Sequence, residues 1–247
     1  MKPILVTITT AAYNSEKTIR RTIESVLGQT YTNIEYIIID GMSKDNTVNI
    51  ANEYKERFKN KGISYKIISE KDKGMYDALN KGIDMAKGEI VGNINSDDWY
   101  EEDAIEKVVK LYNTNKFDLL YADLRLVYND GRTSIKHSRD SRIATSRAWN
   151  HPTQFGTKEL YKKEKYKLES MYDDFDLLLR VKKAGYKIVI LNEVLANFTM
   201  DGMSHERKIK KSASRFRARY RIYRNNGYSR LYVIECFAIE AAKLLLG

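Results

Sequence analysis

The chain has 247 residues, 43% of them hydrophobic, and a formal net charge of +10 at pH 7. This length can bury the core of one large domain, with room for an appendage. Two prolines and 13 glycines exclude a collagen-like or proline-rich chain. The single cysteine, Cys236, has no partner for an internal disulfide, which suits a reducing compartment. No apolar run reaches the ~18 to 20 residues of a transmembrane helix, and the N-terminal segment lacks the pattern of a signal peptide.

The positive charge is concentrated at the end of the chain. Residues 205–247 hold 11 Lys or Arg and 3 Asp or Glu, which is +8 of the net charge. The first 204 residues are nearly neutral, with 32 basic and 30 acidic residues. Such a tail predicts an anionic partner, which is a membrane lipid, a nucleic acid or an acidic protein.

Strands and helices alternate through the first half of the chain. Runs of β-branched and apolar residues predict strands at residues 4–9, 34–39, 63–68 and 89–94. Between them, apolar residues recur at helical spacing, as in Ile23, Val26 and Leu27 before Gly28. This alternation predicts an α/β fold with a doubly wound, mostly parallel sheet and helices on both faces.

The second half is less regular. The pattern predicts strands at 118–123, 124–128 and 187–191, a turn at 129–131, a loop at 136–150 and a helix at 173–184. From residue 207 onward the sequence is helical in pattern. We therefore expect one domain over residues 1–206 and a basic amphipathic helical tail over residues 207–247.

Polar residues follow each of the first four predicted strands: Tyr13-Asn14, Asp40, Glu70-Lys71-Asp72 and Asn95-Ser96-Asp97-Asp98. Right-handed crossovers place the carboxyl ends of parallel strands on one edge of the sheet. Open α/β sheets bind their ligands at that edge. The sequence therefore predicts that these polar groups converge on one site.

The acidic motif of residues 95–98 is suited to a divalent cation. Mg²⁺ and Mn²⁺ prefer oxygen ligands and bind through one or two carboxylates plus substrate phosphates. Such a cation would neutralise a departing nucleoside diphosphate. The alternative is structural, because Asp98 could cap a helix beginning at Trp99.

The segments that begin at Asp40 and Gly74 could each bind part of a nucleotide, and each also has a purely structural explanation. Asp40 could accept a hydrogen bond from a nucleotide base, whereas turn formation and helix capping would explain Ser43 or Asp45. Gly74 opens a predicted helix, whose N-terminus would attract phosphate with help from Lys73 or Lys81. A glycine before a helix is common, so this second signal is weak alone.

These stretches together resemble inverting family 2 glycosyltransferases with the GT-A fold, of the kind that assembles bacterial polysaccharides and lipid-linked oligosaccharides. The matching segments lie between residues 4 and 100, in the family's order and spacing, and comprise Thr9-Thr10-Ala11-Ala12-Tyr13-Asn14, Asp40 to Thr47, Ser69 to Gly82 and Asn95 to Asp98. Residues 151–204 match more loosely.

The resemblance implies roles for these residues. Tyr13 and its neighbours would pack against the base, Asp40 would recognise it, and Asp72 would lie near base or ribose. Asn95 and Asp97 take the acidic positions of the family's Asp-any-Asp motif, with Asp97 as the ligand of Mn²⁺ or Mg²⁺. Asn95 departs from the commoner Asp and is the poorer metal ligand, although it can still bond ribose. The predicted nucleotide-sugar-binding residues are Thr10, Ala11, Tyr13, Asp40, Asp72, Lys81, Asn95 and Ser96.

The resemblance also implies a general base at the start of a helix after the metal motif, and Asp174 fits. The alternative makes Asp173, Asp174 and Asp176 an acidic first turn favoured by the helix dipole. His151 and Trp99 are expected on the acceptor side, although a structural histidine explains His151 equally well. The segment around His205 resembles a loop that closes over the donor, which implies that His205 contacts the metal or a phosphate. The alternative is that His205 is simply a polar surface residue.

The tail mixes basic and aromatic residues. Phe216, Tyr220 and Tyr223 fall on one helical stripe, and 231–246 is apolar but interrupted by charges. This pattern favours a helix lying in a membrane interface, with ~1 kcal/mol for each basic residue near an anionic surface. The alternative is a helical pair packed on the domain with a solvated basic face.

The predicted activity is inverting transfer of a sugar from a nucleotide-sugar, UDP-linked in the first instance or GDP-linked, to a lipid-linked or saccharide acceptor. The enzyme is expected in the cytoplasm, on the inner face of the membrane. One alternative is nucleic-acid binding through the tail, which leaves the acidic strand ends unexplained. A nucleotidyltransferase is the other, but the segment after the first strand lacks the glycine-rich basic loop such enzymes carry.

Overall fold

A computed structural model of the protein describes residues 3–141, 143–200 and 209–246, with side chains described outside 209–211 and 244–246. Its strands are β1 (Val6–Ala12), β2 (Ile34–Asp40), β3 (Ser64–Ser69), β4 (Ile90–Asn93), β5 (Trp99–Tyr100), β6 (Leu119–Val127), β7 (Thr133–Lys136), β8 (Phe155–Thr157) and β9 (Ile188–Thr199). Its helices are α1 (Ile19–Leu27), α2 (Thr47–Asn52), α3 (Lys55–Asn60), α4 (Met75–Met85), α5 (Ala104–Thr114), α6 (Lys158–Lys163), α7 (Asp173–Lys183), α8 (Ile209–Asn225) and α9 (Tyr232–Leu246).

Across the described ranges the strands form one sheet in the order β3-β2-β1-β4-β8-β6-β9-β5, with β7 paired to β6. The neighbours from β3 to β4 are parallel, and so are β6 and β9. β8 is inserted antiparallel between β4 and β6, and β5 pairs antiparallel with β9 at the end of the sheet. The α/β prediction is confirmed, but the sheet is more mixed than the sequence pattern suggests, because short β8 and β5 carry no periodicity of their own.

Helices cover both faces of the sheet. Every residue of β2 is buried, as expected of a parallel strand covered on two sides. Ile8, Val26 and Ile38 belong to the core on one face, whereas Leu79 and Leu178 belong to the core on the other. The carboxyl ends of β1, β2 and β3 meet at one edge, where Ala12 pairs with Asp40 and Asp40 with Ser69.

The second half differs from the sequence prediction in its details. The two strands predicted at 118–128 are one strand, β6, and β9 continues eight residues beyond the predicted end at Leu191. The predicted loop 136–150 contains a 3-10 turn at Ser146–Ala148, and a second such turn follows at His151–Thr153. These segments are fixed by pairing with distant strands and by buried side chains, which no local pattern records.

The two tail helices pack against α7 and the segment before Trp149. Tyr223 of α8 is fully buried, with its ring 5.3 Å from that of Phe175 in an edge-to-face contact. Glu240 of α9 is 3.0 Å from both Arg215 and Arg219, and all three side chains are buried. Among the described residues, no helix combines the length and the apolar character needed to cross a membrane.

Candidate active site

Asp40 lies at the end of β2 and is fully buried. Its carboxylate accepts hydrogen bonds from the Ser43 backbone N–H at 3.0 Å, from the Ser43 hydroxyl, and from Ser69 Oγ at 2.6 Å. These bonds fix the turn after β2, as the structural alternative requires. The base contact stays a prediction, and a base would have to share Asp40 with the two serines.

Asp72 lies beside the end of β2. Its carboxylate accepts a hydrogen bond from the Gly74 N–H at 2.9 Å. A Cβ on Gly41 would stand 2.5 Å from Asp72 Oδ2, so a side chain at that position would displace the carboxylate. Gly41 also donates to Ala12 at 2.9 Å, which fixes it against β1. Tyr13 follows directly and is 60% exposed, which leaves an aromatic ring open at this edge.

Three other residues predicted to bind the nucleotide-sugar are less accessible to a ligand. Thr10 is fully buried, and its hydroxyl lies 3.1 Å from that of Tyr36. Ala11 is partly buried against the core. Lys81 is 2.8 Å from Glu70, whose hydrogen bond raises the pKa of the amine. A phosphate would therefore have to compete with Glu70 for Lys81.

The motif after β4 is tied to α1 and to β9. Ser96 Oγ is 2.7 Å from Ser15 Oγ, and the Thr22 hydroxyl donates to the Asp98 carbonyl at 2.6 Å. The Asp98 carboxyl is fully buried and accepts from the Thr199 N–H at 3.3 Å. Burial, followed by the nearby Asp97, raises its pKa well above the ordinary value. β5 follows the motif, so the helix-cap interpretation of Asp98 is wrong.

Asp97 is the open carboxylate of this motif. Its side chain is half-buried, and within the described ranges no other residue donates a hydrogen bond to its carboxylate. Burial raises its pKa, while its own backbone N–H and the Arg21 guanidinium oppose that change. Asn95 is also half-buried, with its Nδ2 3.5 Å from Asp98 Oδ2.

Asp97 and Asn95 suit a hard cation for which the protein supplies only part of the coordination shell. Asp97 offers one carboxylate and Asn95 an amide oxygen, and substrate phosphates commonly complete such a shell. In the described parts of the chain, no group of three or more His, Cys, Asp or Glu side chains could hold a metal. Asp97 and Asn95 therefore suit a cation whose remaining ligands come from a bound diphosphate. His205, the other predicted ligand, lies outside the described residues.

Arg21 is a component of the site that the sequence reasoning missed. Its guanidinium donates to the Asp97 carbonyl and to Thr199 Oγ1, both at 2.9 Å. It also lies 3.6 Å from the centre of the Trp99 ring. Arg21 thus links α1, the acidic motif and the end of β9. Trp99 lies beside the metal motif, and its predicted acceptor role stays a prediction.

Asp174 lies in the first turn of α7 and is half-buried. Its neighbours Asp173 and Asp176 are both buried. Asp173 accepts from the Glu169 N–H at 2.9 Å, and Asp176 is 2.8 Å from Arg180. Asp174 is thus the carboxylate of this turn that is most accessible to a substrate.

A buried polar chain joins the surroundings of Asp174 to β4. His151 Nε2 is 2.9 Å from the Tyr166 hydroxyl, to which Asn93 Nδ2 donates at 3.1 Å. Burial lowers the pKa of His151, and the negative charge of Asp174 opposes that shift. Asp174 also interacts with Tyr76. His151 is therefore a satisfied core residue close to Asp174, in agreement with the structural alternative.

Three of these neighbours were not predicted: Tyr76, Asn93 and Tyr166. Tyr76 was visible in the sequence only as part of a motif, and Tyr166 lies in an irregular segment without periodicity. Asn93 is buried within a strand that reads as apolar. A buried asparagine at the end of a central strand is the one signal that could have pointed to this network.

The sequence model of glycosyl transferase family 2 matches residues 7–183. WfaP of Escherichia coli, a UDP-Glc:alpha-D-GlcNAc-diphosphoundecaprenol beta-1,3-glucosyltransferase, is 37% identical over 122 residues, which is 48% of this chain and 45% of WfaP. The chain spans less than half the length of the curated relatives that it matches.

Solved structures share the fold at low sequence identity. Staphylococcus aureus TarS 1–349, in complex with UDP, has a TM-score of 0.69 at 18% identity, over 96% of this chain and 71% of that chain. The mannosyltransferase PcManGT from Pyrobaculum calidifontis, in complex with GDP-Man and Mn²⁺, has a TM-score of 0.69 at 15% identity, over 98% and 70% of the two chains. The family match over most of the sequence and these shared folds show that the chain belongs to glycosyl transferase family 2.

Proposed function

We propose that this protein is an inverting, metal-dependent glycosyltransferase that moves a sugar from a nucleotide-sugar to a lipid-linked or saccharide acceptor in cell-surface polysaccharide synthesis. The observation that carries this proposal is the open Asp97 carboxylate at the carboxyl end of β4, with a second accessible carboxylate, Asp174, at the start of α7. One of them suits the donor diphosphate, and the other suits the acceptor hydroxyl.

In this mechanism Asp174 accepts the proton of the acceptor hydroxyl as that oxygen attacks the anomeric carbon. Tyr76 is hydrogen-bonded to Asp174 and restricts its position, and the buried His151–Tyr166 pair lies close to the same carboxylate. Mn²⁺ or Mg²⁺, held by Asp97 with help from Asn95, would stabilise the charge of the departing nucleoside diphosphate. Arg21 holds the loop that carries Asp97.

The donor is expected to be a UDP-sugar, with a GDP-sugar as the other choice. TarS in its solved complex contains UDP, and WfaP is named for a UDP-glucose donor, whereas PcManGT was solved with GDP-Man. WfaP is also named for a diphosphoundecaprenol acceptor, which supports a lipid-linked acceptor here.

We further place the enzyme in the cytoplasm, on the inner face of the membrane, through α9. The aromatic stripe of α8 is turned toward the domain, since Tyr223 is fully buried. Instead, α9 and the turn before it expose an apolar ridge, made of Leu231, Ile234 and Phe237, each at least 66% exposed. Exposed Arg217, Arg221, Arg224 and Arg230 lie on the same two-helix tail. A tail that exposes both an apolar ridge and several arginines suits an anionic lipid surface.

A thermal-shift screen of nucleotides and nucleotide-sugars with Mn²⁺ tests the proposed activity first. A ligand that binds only the native state raises the unfolding temperature by mass action. We expect a uridine or guanosine diphosphate to stabilise the protein with Mn²⁺ and much less with EDTA. If no nucleotide shifts the unfolding temperature of the folded protein, and donor and acceptor panels release no nucleoside diphosphate, the proposal is wrong.

A further inference from the structure

A group of cations without ion-pair partners lies between the tail and the start of α7. Lys136, at the end of β7, donates to the Trp149 carbonyl at 3.0 Å, and Arg147 lies two residues before Trp149. Lys243 lies near the end of α9. Among the described residues none of the three forms a salt bridge, although each interacts electrostatically with the other two.

The packing of α9 explains why these residues meet. Glu235 accepts a hydrogen bond from Thr145 at 2.6 Å, which fastens the first half of α9 beside Arg147. Glu240, one turn before Lys243, binds Arg219, whose guanidinium lies 4.9 Å from the centre of the Tyr172 ring. Tyr172 directly precedes α7. Arg219 therefore connects the C-terminal half of α9 to Tyr172, two residues before Asp174.

The acidic groups around this cation cluster do not neutralise it. Glu240 is occupied by Ser212, Arg215 and Arg219. Glu235 is hydrogen-bonded to Thr145 and Tyr223. Asp174 interacts with Lys136 but is assigned to the acceptor hydroxyl. Burial and the charge of Arg147 lower the pKa of Lys136 to about 8. Lys136 and Lys243 are half-buried and Arg147 is exposed, and like charges brought together in this way repel one another unless an anion joins them.

We propose that Lys136, Arg147 and Lys243 bind the diphosphate of a lipid-linked acceptor, and so place its sugar hydroxyl at Asp174. This inference rests on the proposed function and names its acceptor class. Lysine and arginine side chains donate charge-assisted hydrogen bonds to phosphate oxygens. The apolar ridge is on the outward side of α9, and Lys243 is on the inward side with buried Cys236 and Glu240.

Direct binding of geranyl diphosphate, with geraniol and inorganic pyrophosphate as comparison ligands, tests this site. Isothermal titration in EDTA removes the metal on which diphosphate binding at the donor site would depend. We expect the wild-type chain to bind geranyl diphosphate and pyrophosphate but not geraniol. The double variant Arg147→Gln/Lys243→Gln should bind both diphosphates at least about tenfold more weakly, since each lost charged hydrogen bond is worth about that factor.

The control is Lys55→Gln/Lys59→Gln, which removes the same charge from exposed positions on α3 and should bind like wild type. UDP binding with Mn²⁺ should be unchanged in both double variants. Equal affinity of wild type and Arg147→Gln/Lys243→Gln, or no difference between geranyl diphosphate and geraniol, would overturn the inference. Absence of UDP binding in every variant would instead contradict the proposed function.

Discussion

Arg21 shows how one side chain can organise a site without touching the reacting atoms. Its planar guanidinium bridges the Asp97 carbonyl and the Thr199 hydroxyl and stacks on Trp99. Lysine has no planar group that could stack on Trp99 while making both hydrogen bonds. The neighbouring Arg20 has the same charge but pairs with Glu53 on the surface. Substituting Arg20 and Arg21 separately therefore removes the same charge from two neighbouring positions, of which only Arg21 supports the site.

We expect Arg21→Lys and Arg21→Gln to weaken UDP binding with Mn²⁺ about tenfold, because the loop that carries Asp97 loses its support. Arg20→Gln should bind UDP like wild type. Titration calorimetry on the three variants measures this, and thermal unfolding checks that each is folded. If Arg21→Gln binds UDP as tightly as Arg20→Gln does, Arg21 does not position the donor site.

Asp173 predicts a pH dependence of stability. Burial raises its pKa to about 6 in the folded protein. The folded state therefore holds a proton that the unfolded state releases near pH 4, and Asp173 lowers stability increasingly as pH rises from about 4 to 6. Asp173→Asn should be more stable than wild type at pH 7.5, by up to about 3 kcal/mol.

The difference between wild type and Asp173→Asn should disappear below about pH 3, where the wild-type carboxyl is protonated in both states. Urea unfolding at several pH values measures it. Glu102→Gln changes an exposed carboxylate on the surface and serves as the control, with no such dependence expected. A stability difference for Asp173→Asn that is constant or grows toward low pH would contradict the prediction.

At the scale of elements, the first four strands could be predicted because each is a short segment rich in β-branched and apolar residues between turn signals. Their parallel pairing followed from the intervening helices, and with it the convergence of Asp40, Asp72 and Asp97 at one edge. Sequence could not show that Ser69 donates a hydrogen bond to Asp40, because that bond depends on the register of β2 and β3, whereas the Ser43 bonds are local to the turn. Sequence also could not show whether the aromatic stripe of α8 faces the domain or a membrane. A helical period shows that the stripe lies on one face but does not identify what packs against that face.

Glu240 predicts how the tail elements are held. It is buried and accepts hydrogen bonds from Ser212, Arg215 and Arg219. Glu240→Gln would remove the carboxylate charge that Glu240 presents to the buried Arg219, and breaking such a buried pair typically costs about 3–5 kcal/mol. We expect amides of α8 and α9 to exchange hydrogen much faster, while those of β1, β2 and β4 stay protected.

Hydrogen exchange read by mass spectrometry resolves these segments. Glu193→Gln is the control, since Glu193 forms an exposed pair with Lys107 at 3.1 Å and such pairs contribute 0–1 kcal/mol. Unchanged protection of α8 and α9 in Glu240→Gln would show that apolar packing alone holds the tail on the domain.

At the scale of the whole molecule, the asymmetry of charge and apolar surface predicts membrane binding through α9. The full chain should float with vesicles that contain phosphatidylglycerol and less with neutral vesicles, because the attraction of the arginines requires anionic lipid. Ile234→Ser/Phe237→Ser should reduce flotation at least about tenfold, given the apolar area removed from the interface.

The control for the ridge is Ile135→Ser/Leu168→Ser, which alters two exposed apolar residues outside the tail. It should float like wild type. Equal flotation of the two double variants would contradict docking through α9. Failure of the wild-type chain to float on anionic vesicles would leave the tail as a helical pair packed on the domain.

The proposed mechanism assigns donor binding to Asp97 and proton transfer to Asp174, and one paired measurement tests both assignments. Once the donor is identified, UDP or GDP binding and sugar transfer are measured side by side for Asp97→Ala and Asp174→Asn. Asp97→Ala should lose both Mn²⁺-dependent nucleotide binding and transfer. Asp174→Asn should bind the nucleotide like wild type but transfer about 10²–10⁴-fold more slowly, the usual loss when a general base is removed. Transfer by Asp174→Asn near the wild-type rate, or nucleotide binding by Asp97→Ala equal to wild type, would contradict the assignment.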